Sequence, residues 1–455
     1  MNAPAQPIER LLHALPDLDW VTDNTRIARL SQDFSWFSPV LKRQLADKVA
    51  DAVVRPRNEQ EIVQLVSLCA QLRVPITIRG TGTGNYGQAI PLHGGVVLDM
   101  SGYNAFLWAR GGVARAQAGI RLSDFEKETR SACGMEMRCV PSTFRSATLG
   151  GLFGGGFGGV GSINYGPLAA RGNVLGLRAI TIEESPQLIE LRGAEAMRMH
   201  HLWGTNGLVL ELEVALAPAS EWQEHIVVFQ DFDAALDFGQ ALACAPGIVK
   251  REIALMADPV PGYLKPLAEY LPPGCHALLL ATAPASEPAL RELVAERGGE
   301  ITSTRTAEEV ARTNRTLLEY TWNHTTLVAF RSDKNITYLQ CAYTAGHHLE
   351  QVRKLHALLS PEVQLHAEFI RNLDGVVTCT ALPIVRFTTE ERLQAIMQIF
   401  RDHGVRINDP HVFIVEDGKA GGDLAPEVIA TKRRFDPLGL LNPGKVRAWM
   451  QGPAA

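Results

Sequence analysis

Two periods of hydrophobicity alternate along the chain. Over residues 58–72 the apolar positions Ile62, Leu65, Val66, Cys69 and Leu72 recur at steps of three and four, as on one face of a helix. Asn58 stands at the expected N-cap and Glu61 follows three residues later, which marks the helix start. Short β-branched runs flank this helix: Val53-Val54-Arg55 before it, then Val74-Pro75-Ile76-Thr77-Ile78 and Val96-Val97-Leu98-Asp99 after it. A short amphipathic helix, Ile8 to Leu15, and an aromatic segment, Phe34-Ser35-Trp36-Phe37, come first. Val113 to Gly119 alternates like a strand, and Leu122 to about Cys133 reads as a helix. Strands follow at 175–182 and 188–191, and a long apolar strand from Gly207 to Ala217 is stopped by Pro218.

Beyond residue 220 the order changes. Strands are expected at 224–229, 248–255, 277–283, 325–331, 336–343 and 411–415, with a hairpin over 362–381. Helices are expected at 232–243, 287–297, 307–318, 349–359 and 389–400. Helix, strand and strand in succession predict an antiparallel sheet with helices on one face. The class expected is α+β. The domains expected are residues 1–220, residues 221–414, and a C-terminal segment 415–455 with a helix from Pro426 to Phe435.

Two glycine-rich stretches interrupt the first domain. Arg79-Gly80-Thr81-Gly82-Thr83-Gly84-Asn85-Tyr86-Gly87-Gln88 follows a strand and spells G-x-G-x-x-G at Gly82, Gly84 and Gly87. The nicotinamide dinucleotide fingerprint needs a helix to open in such a loop, so that its N-terminus faces the pyrophosphate. Here a turn leads into another strand, which removes that context. The backbone N–H groups of such a turn still suit a diphosphate. The second stretch runs from Thr148-Leu149-Gly150-Gly151 through Gly155 to Gly161, and a third element reads Trp203-Gly204-Thr205-Asn206-Gly207.

The order of Arg-Gly-x-Gly-Thr loop, Pro141, Thr148-Leu149-Gly150-Gly151, Tyr165-Gly166 and Asn173-Val174-Leu175-Gly176 resembles one family. It is similar to the FAD-binding domain of the vanillyl-alcohol oxidase/para-cresol methylhydroxylase (PCMH-type) flavoproteins. Within these it is most similar to the glycolate oxidase D-subunit and D-lactate dehydrogenase branch. The resemblance covers about residues 50–218 plus Asp436-Pro437-Leu438-Gly439-Leu440-Leu441-Asn442-Pro443-Gly444-Lys445. It implies a two-subdomain FAD-binding domain and an antiparallel-sheet substrate (cap) domain flanked by helices. It implies FAD contacts at Arg79, Gly80, Thr81, Gly82, Thr83, Gly84, Asn85 and Gln88 in the first loop. In the second region it implies Pro141, Ser142, Thr148, Gly150, Gly151 and Gly155, with Val209, Asn442 and Lys445 beyond. Relatives with covalent FAD carry a histidine at the register of Thr83, and some add a cysteine near Thr143 or Phe144. Cys139 lies too far upstream. FAD bound without a covalent bond is therefore expected. Gly154 to Gly161 and Gly172 depart from the branch's pattern, which puts the route beside the flavin in question.

Composition narrows the picture in three ways. A formal charge of −5 offers nucleic acid no electrostatic attraction. No apolar run reaches the roughly 18–20 residues of a membrane span, and the first ten residues lack a signal-peptide pattern, so a cytoplasmic location is expected. The seven cysteines are an odd number and include no C-x-x-C pair, so neither a disulfide framework nor a zinc site is expected.

Candidate chemistry outside the glycine loops is sparser. His366 and Glu368 alternate on one strand face and suit a general-base pair, an acid/base residue with its orienter, or half of a metal site with His411; a polar outer hairpin face is the competing reading. The branch's metal-binding Gly-His-x-Gly-Asp-Gly-Asn-x-His segment is absent, and no metal is expected. Tyr320 and Trp322 suit stacking on a planar substrate with His324 as base, against a packed helix–strand junction. Arg331, at the end of the expected strand, suits a carboxylate, against an ordinary surface arginine.

Three functions stand. The first is an FAD-dependent dehydrogenase or oxidase of a 2-hydroxy acid or related alcohol. The second is an enzyme of aromatic alcohols or phenols. The third is a flavin-binding electron-transfer subunit of a complex. Each takes an electron acceptor, whether oxygen, quinone, cytochrome or a partner subunit. A homodimer is left open.

Overall fold

The computed structural model describes residues 6–419 and 421–450, so the chain's first five residues, part of the signal-peptide reading, lie outside it. Four sheets organise the chain. In the first, Asp19–Val21, Ala52–Arg55, Val96–Asp99 and Ile76–Arg79 lie side by side in that order. Ala52–Arg55 and Ile76–Arg79 both run parallel to Val96–Asp99. Helix Glu59–Leu72 crosses from Ala52–Arg55 to Ile76–Arg79, on the far side of Val96–Asp99. The segment 80–95, with the first glycine loop, crosses from Ile76–Arg79 to its parallel neighbour Val96–Asp99. From the helix, Ile62, Leu65, Val66 and Cys69 pack on Val54, Ile76, Val96 and Leu98, while Val53 and Val97 enter a second cluster on the other face. Burial on both faces explains the uninterrupted apolar runs.

The second sheet is antiparallel: Phe106–Arg110, Val113–Gln117, Leu208–Pro218, Val174–Ile180, Leu188–Arg192. Helix Leu149–Gly155 packs against it, and a methyl group at Gly150 would meet Ala118 Cβ at 2.8 Å. This helix was not expected, because four of its seven residues are glycine, the weakest former after proline. The C-terminal segment returns to the first sheet: Ile76 N–H donates to Leu440 O at 2.8 Å and Asn442 N–H to Ile76 O at 2.7 Å.

The third sheet has eight antiparallel strands, in the order Glu300–Arg305, Gln223–Phe229, His276–Thr282, Lys250–Met256, His366–Arg371, Val377–Ala381, Gln340–Ala342, Arg406–Asn408. Its two faces follow the strand period of two. Val227, Ile253, Leu255, Leu278, Leu280 and Phe369 pack with Leu236, Phe238, Leu290, Leu355 and Ile396 of the covering helices. Ile226, Val228, Ala254, Met256, Leu279 and Ile370 instead join the core of the second sheet. Both faces are therefore covered.

Several expectations need correction. Residues 325–331 form helix Asn323–Ser332 and no strand. The run Leu327–Phe330 is too short for its period to be read, and Trp322, just ahead of the helix, is tied to the third sheet. The expected strand 336–343 is two strands, Ile336–Tyr338 in a three-stranded sheet and Gln340–Ala342 in the large one. No strand covers 411–415; the edge strand is Arg406–Asn408, and Pro410 after it has no N–H to give a ladder. The helix expected over 307–318 ends at Thr313, where Asn314 turns left-handed (φ 52°), and a 3₁₀ turn spans Leu317–Tyr320.

Candidate functional site

The two glycine stretches face each other across one cavity. Gly80, Thr81, Gly82, Thr83, Gly84, Asn85 and Gln88 line one side. Pro141, Ser142, Thr148, Gly150, Gly151 and Gly155 line the other, with Val209 between. The stretches touch: a Cβ on Gly80 would sit 2.2 Å from Thr148 Oγ1, and one on Gly155 would sit 3.2 Å from Gln88 Nε2. Thr148 caps helix Leu149–Gly155 by accepting the Gly151 N–H at 3.1 Å. Gly82 turns left-handed (φ 72°) directly over the Arg79 guanidinium, which only glycine permits.

The backbone N–H groups of Thr81, Gly82, Thr83, Gly84 and Asn85 have no protein acceptor among the described residues. Five neighbouring donors on a cavity wall fit a diphosphate, so these residues suit FAD. Thr83 lines the wall with no histidine in its place. Cys139 is buried behind it, with Sγ 3.5 Å from Ser162 Oγ. Cys341 does line the cavity, but burial raises its thiol well above the usual range and keeps it protonated.

Arg79, Asn442 and Lys445 do not reach the cavity wall. They brace the first loop from behind. Arg79 Nη2 donates to Thr81 O at 3.2 Å, and Asn442 Nδ2 donates to Gln88 O at 2.8 Å and Trp203 O at 2.7 Å. Lys445 Nζ donates to Gly87 O, Gln88 O and Ile90 O at 2.6, 2.9 and 2.7 Å. Burial lowers the pKa of Lys445 to about 7, with the Asp33 carboxylate opposing the shift. Three carbonyl acceptors call for three donors, which the ammonium alone supplies.

The rest of the wall comes from beyond residue 220: Trp322, Asn323, His324, Leu327, Gln340, Thr380 and Asn408. His324 has its pKa lowered, first by burial, and is neutral at pH 7. Aromatic rings from the first 220 residues complete the enclosure. Tyr86 stacks on Trp203 at 5.3 Å and 18°, and Phe34, Phe37 and Phe157 also face the cavity. His201 lies beside them with a left-handed backbone (φ 54°); burial, then the nearby His200 and Lys419, lower its pKa to about 3.

His366 and Glu368 are not a polar outer face. Both are at most 1% exposed, because the sheet face that carries them packs on the second sheet. Neither lines the cavity; they stand behind Trp322. Glu368 Oε1 accepts the Trp322 backbone N–H at 2.7 Å, and Glu252 Oε1 accepts its indole N–H at 3.0 Å. Trp322 is thus held at φ 52°, ψ −139°, a sparsely populated conformation. Burial and mutual repulsion raise the pKa of Glu252, and burial raises that of Glu368, so the pair keeps a proton at neutral pH. Burial lowers His366 to about 3, so its 2.8 Å contact to Glu368 is a hydrogen bond of a neutral imidazole and not an ion pair.

The remaining candidates separate. Arg331 is exposed in the last turn of its helix, off the cavity wall, as the strand-to-helix correction entails. Tyr320 packs on the core, and its carbonyl accepts the Thr325 hydroxyl at 2.6 Å. His411 sits between Ser38 Oγ (2.8 Å) and Tyr338 O (3.0 Å). It does not join His366 and Glu368: no group of three potential metal ligands occurs among the described residues. The sequence reading missed Glu252, His201, Gln340, Asn408 and the Tyr86–Trp203 stack. Glu252 follows Lys250 and Arg251 and reads as part of a charged strand end, and the others carried no signal either.

Comparison with known proteins agrees with this geometry. Residues 50–185 match the family model described as FAD binding domain. An uncharacterized FAD-linked oxidoreductase of Mycobacterium tuberculosis is 30% identical over 44% of this chain and 44% of its own length. The glycolate oxidase subunit GlcD of Bacillus subtilis is 29% identical over 50% of each chain. The matches thus span about half the length of these curated relatives. A solved structure of alkyldihydroxyacetonephosphate synthase shares the fold at a TM-score of 0.69 and 16% identity, over 98% of this chain and 87% of that one. The chain shares that α+β fold, and the match over residues 50–185 makes FAD its cofactor. No helix among the described residues is long and apolar enough to cross a membrane.

Proposed function

We propose that this FAD-binding chain is an oxidoreductase that oxidises the CH–OH group of a 2-hydroxy acid or related alcohol. The observation that carries the reading is the shared cavity. One wall is a glycine cradle rich in free N–H donors, and the facing wall bears an imidazole, three amides and a hydroxyl. Bound FAD supplies a hydride acceptor at N5 of its ring. The chain's own residues do the rest. His324, kept neutral by burial, accepts the substrate hydroxyl proton. Asn323, Gln340, Asn408 and Thr380 orient substrate oxygens. Trp322 and the Tyr86–Trp203 pair keep water out. The similarity to a glycolate oxidase subunit supports a hydroxy acid as substrate.

An aromatic alcohol is the second reading, favoured by seven aromatic side chains on the wall: Phe34, Phe37, Tyr86, Phe153, Phe157, Trp203 and Trp322. Non-covalent attachment of FAD, a cytoplasmic location and an acceptor that is oxygen, a quinone, a cytochrome or a partner subunit belong to the same proposal. The test is anaerobic titration of the purified holoprotein with hydroxy acids and aromatic alcohols. Bleaching of the yellow flavin by hydroxy acids is expected, and bleaching by aromatic alcohols alone would select the second reading. No bleaching by either, with turnover only alongside co-purified subunits, would reduce the chain to an electron-transfer role.

A further inference from the structure

A side annex opens off the cavity. Tyr86, Phe157, His201, Trp203 and Asn408 wall both spaces. Two cations complete the annex: Arg406, exposed on the edge strand, and Lys419, half-buried in the turn after Val415. Some arginines elsewhere are matched, as Arg353 is by Asp233 and Asp237 and Arg392 by Glu362. Arg406 and Lys419 make no ion pair or side-chain hydrogen bond with the described residues.

The acids nearby are otherwise engaged. Asp417 pairs with Arg447, Asp409 accepts the His411 N–H at 2.8 Å, and Glu416 Oε1 accepts the Ala448 N–H at 3.0 Å, while its buried Oε2 has no partner. Glu416 reaches Lys419 only through its field, and burial of Lys419 outweighs it. The field of Lys419 in turn reaches His200 and His201, so the ammonium lies near the shared wall. A second donor there is orphaned. The indole Nε1 of Trp203, a residue 5% exposed, has no acceptor. A partly desolvated cation with no counter-ion is costly, and an anion would relieve it.

We propose that this annex is an anion subsite, in which Lys419 and Arg406 hold a carboxylate of the substrate. The proposal rests on the reading of the main cavity as the FAD and substrate site. It moves carboxylate recognition from Arg331, which is exposed and off the wall, to residues that no motif singled out. It also orients the substrate: the carboxylate lies toward the annex and the CH–OH group toward the main cavity.

The test reads binding and not turnover. Glycolate and acetate are titrated into the FAD-loaded protein, with ethylene glycol as the uncharged match for glycolate, by calorimetry and by the shift in the flavin spectrum. The carboxylates are expected to bind and ethylene glycol not to. Lys419→Gln should weaken carboxylate binding at least tenfold, Lys419→Arg should restore most of it, and the exposed Arg406→Gln should weaken it by a smaller factor. Retained FAD checks that each variant is folded. Carboxylate binding unchanged in both Lys419→Gln and Arg406→Gln would overturn the subsite, as would no carboxylate binding by the parent protein. If no alcohol bleaches the flavin yet carboxylates bind through Lys419, the subsite stands and the oxidoreductase reading falls.

Discussion

The contact between the two glycine stretches gives a quantitative test of the cradle. Gly80→Ala places a methyl carbon 2.2 Å from Thr148 Oγ1, 3.4 Å from its Cβ and 3.5 Å from its Cγ2. The φ of Gly80 is outside the left-handed region, so the backbone accepts alanine and the clash alone is penalised. Thr148 is 1% exposed and cannot swing away freely. Overpacking costs about 1–3 kcal/mol. Pushing the hydroxyl off Gly151 N–H forfeits a helix cap worth about 1 kcal/mol. Gly80→Ala should therefore destabilise by about 2–4 kcal/mol and lower the FAD content, because both residues form the cavity wall. Thr148→Ala alone should cost about 1 kcal/mol. In that background the nearest atom to the new methyl is the residue 148 Cβ at 3.4 Å, an ordinary contact. Gly80→Ala should then cost under about 1 kcal/mol, a coupling of about 1–3 kcal/mol between the sites. Urea unfolding of the four apoproteins measures it, and flavin per chain after gel filtration reports the cradle. Additivity of the two substitutions to within about 0.5 kcal/mol would refute the reasoning.

Three further predictions follow from other parts of the site. Lys445→Met strips the donors from three buried carbonyls at about 1–3 kcal/mol each, so the first glycine loop should loosen; loss of FAD on dialysis, measured against the parent, checks this. Precipitation in acid should leave the polypeptide colourless and the supernatant yellow, and colour on the pellet would reveal a covalent bond. Glu368 has its pKa raised to about 7, mainly by burial, and the unfolded value is near 4.5. The folded state therefore holds the extra proton between these values, and stability should fall as pH rises from about 4.5 through 7. Glu368→Gln should flatten that fall, and urea midpoints across the pH range decide whether it does.

Much of the fold and half of the site were legible in the sequence, for reasons that can be named. Helix Glu59–Leu72 and its flanking strands came from local period and capping, which a chain segment carries within itself. The cradle came from glycine, whose loss of Cβ is a local property that lets two loops and a ligand approach closely. The resemblance to PCMH-type flavoproteins rests on the order of those glycines. What could not be read depends on contacts between segments far apart in sequence. Whether Leu327–Phe330 winds into a helix is decided by Glu368 and Glu252, which hold Trp322 at its start. Whether His366 and Glu368 face water depends on the second sheet covering their strand face, and period two cannot tell a solvated face from a buried one. Arg331 and Lys419 look alike as letters. Tertiary packing leaves the first exposed on its helix and sets the second, unpaired, beside Trp203 and the cavity. The sequence determined that there is a cradle for FAD, because that is a matter of backbone freedom. Only the folded chain decided which side chains face it, because facing is set by packing between distant segments.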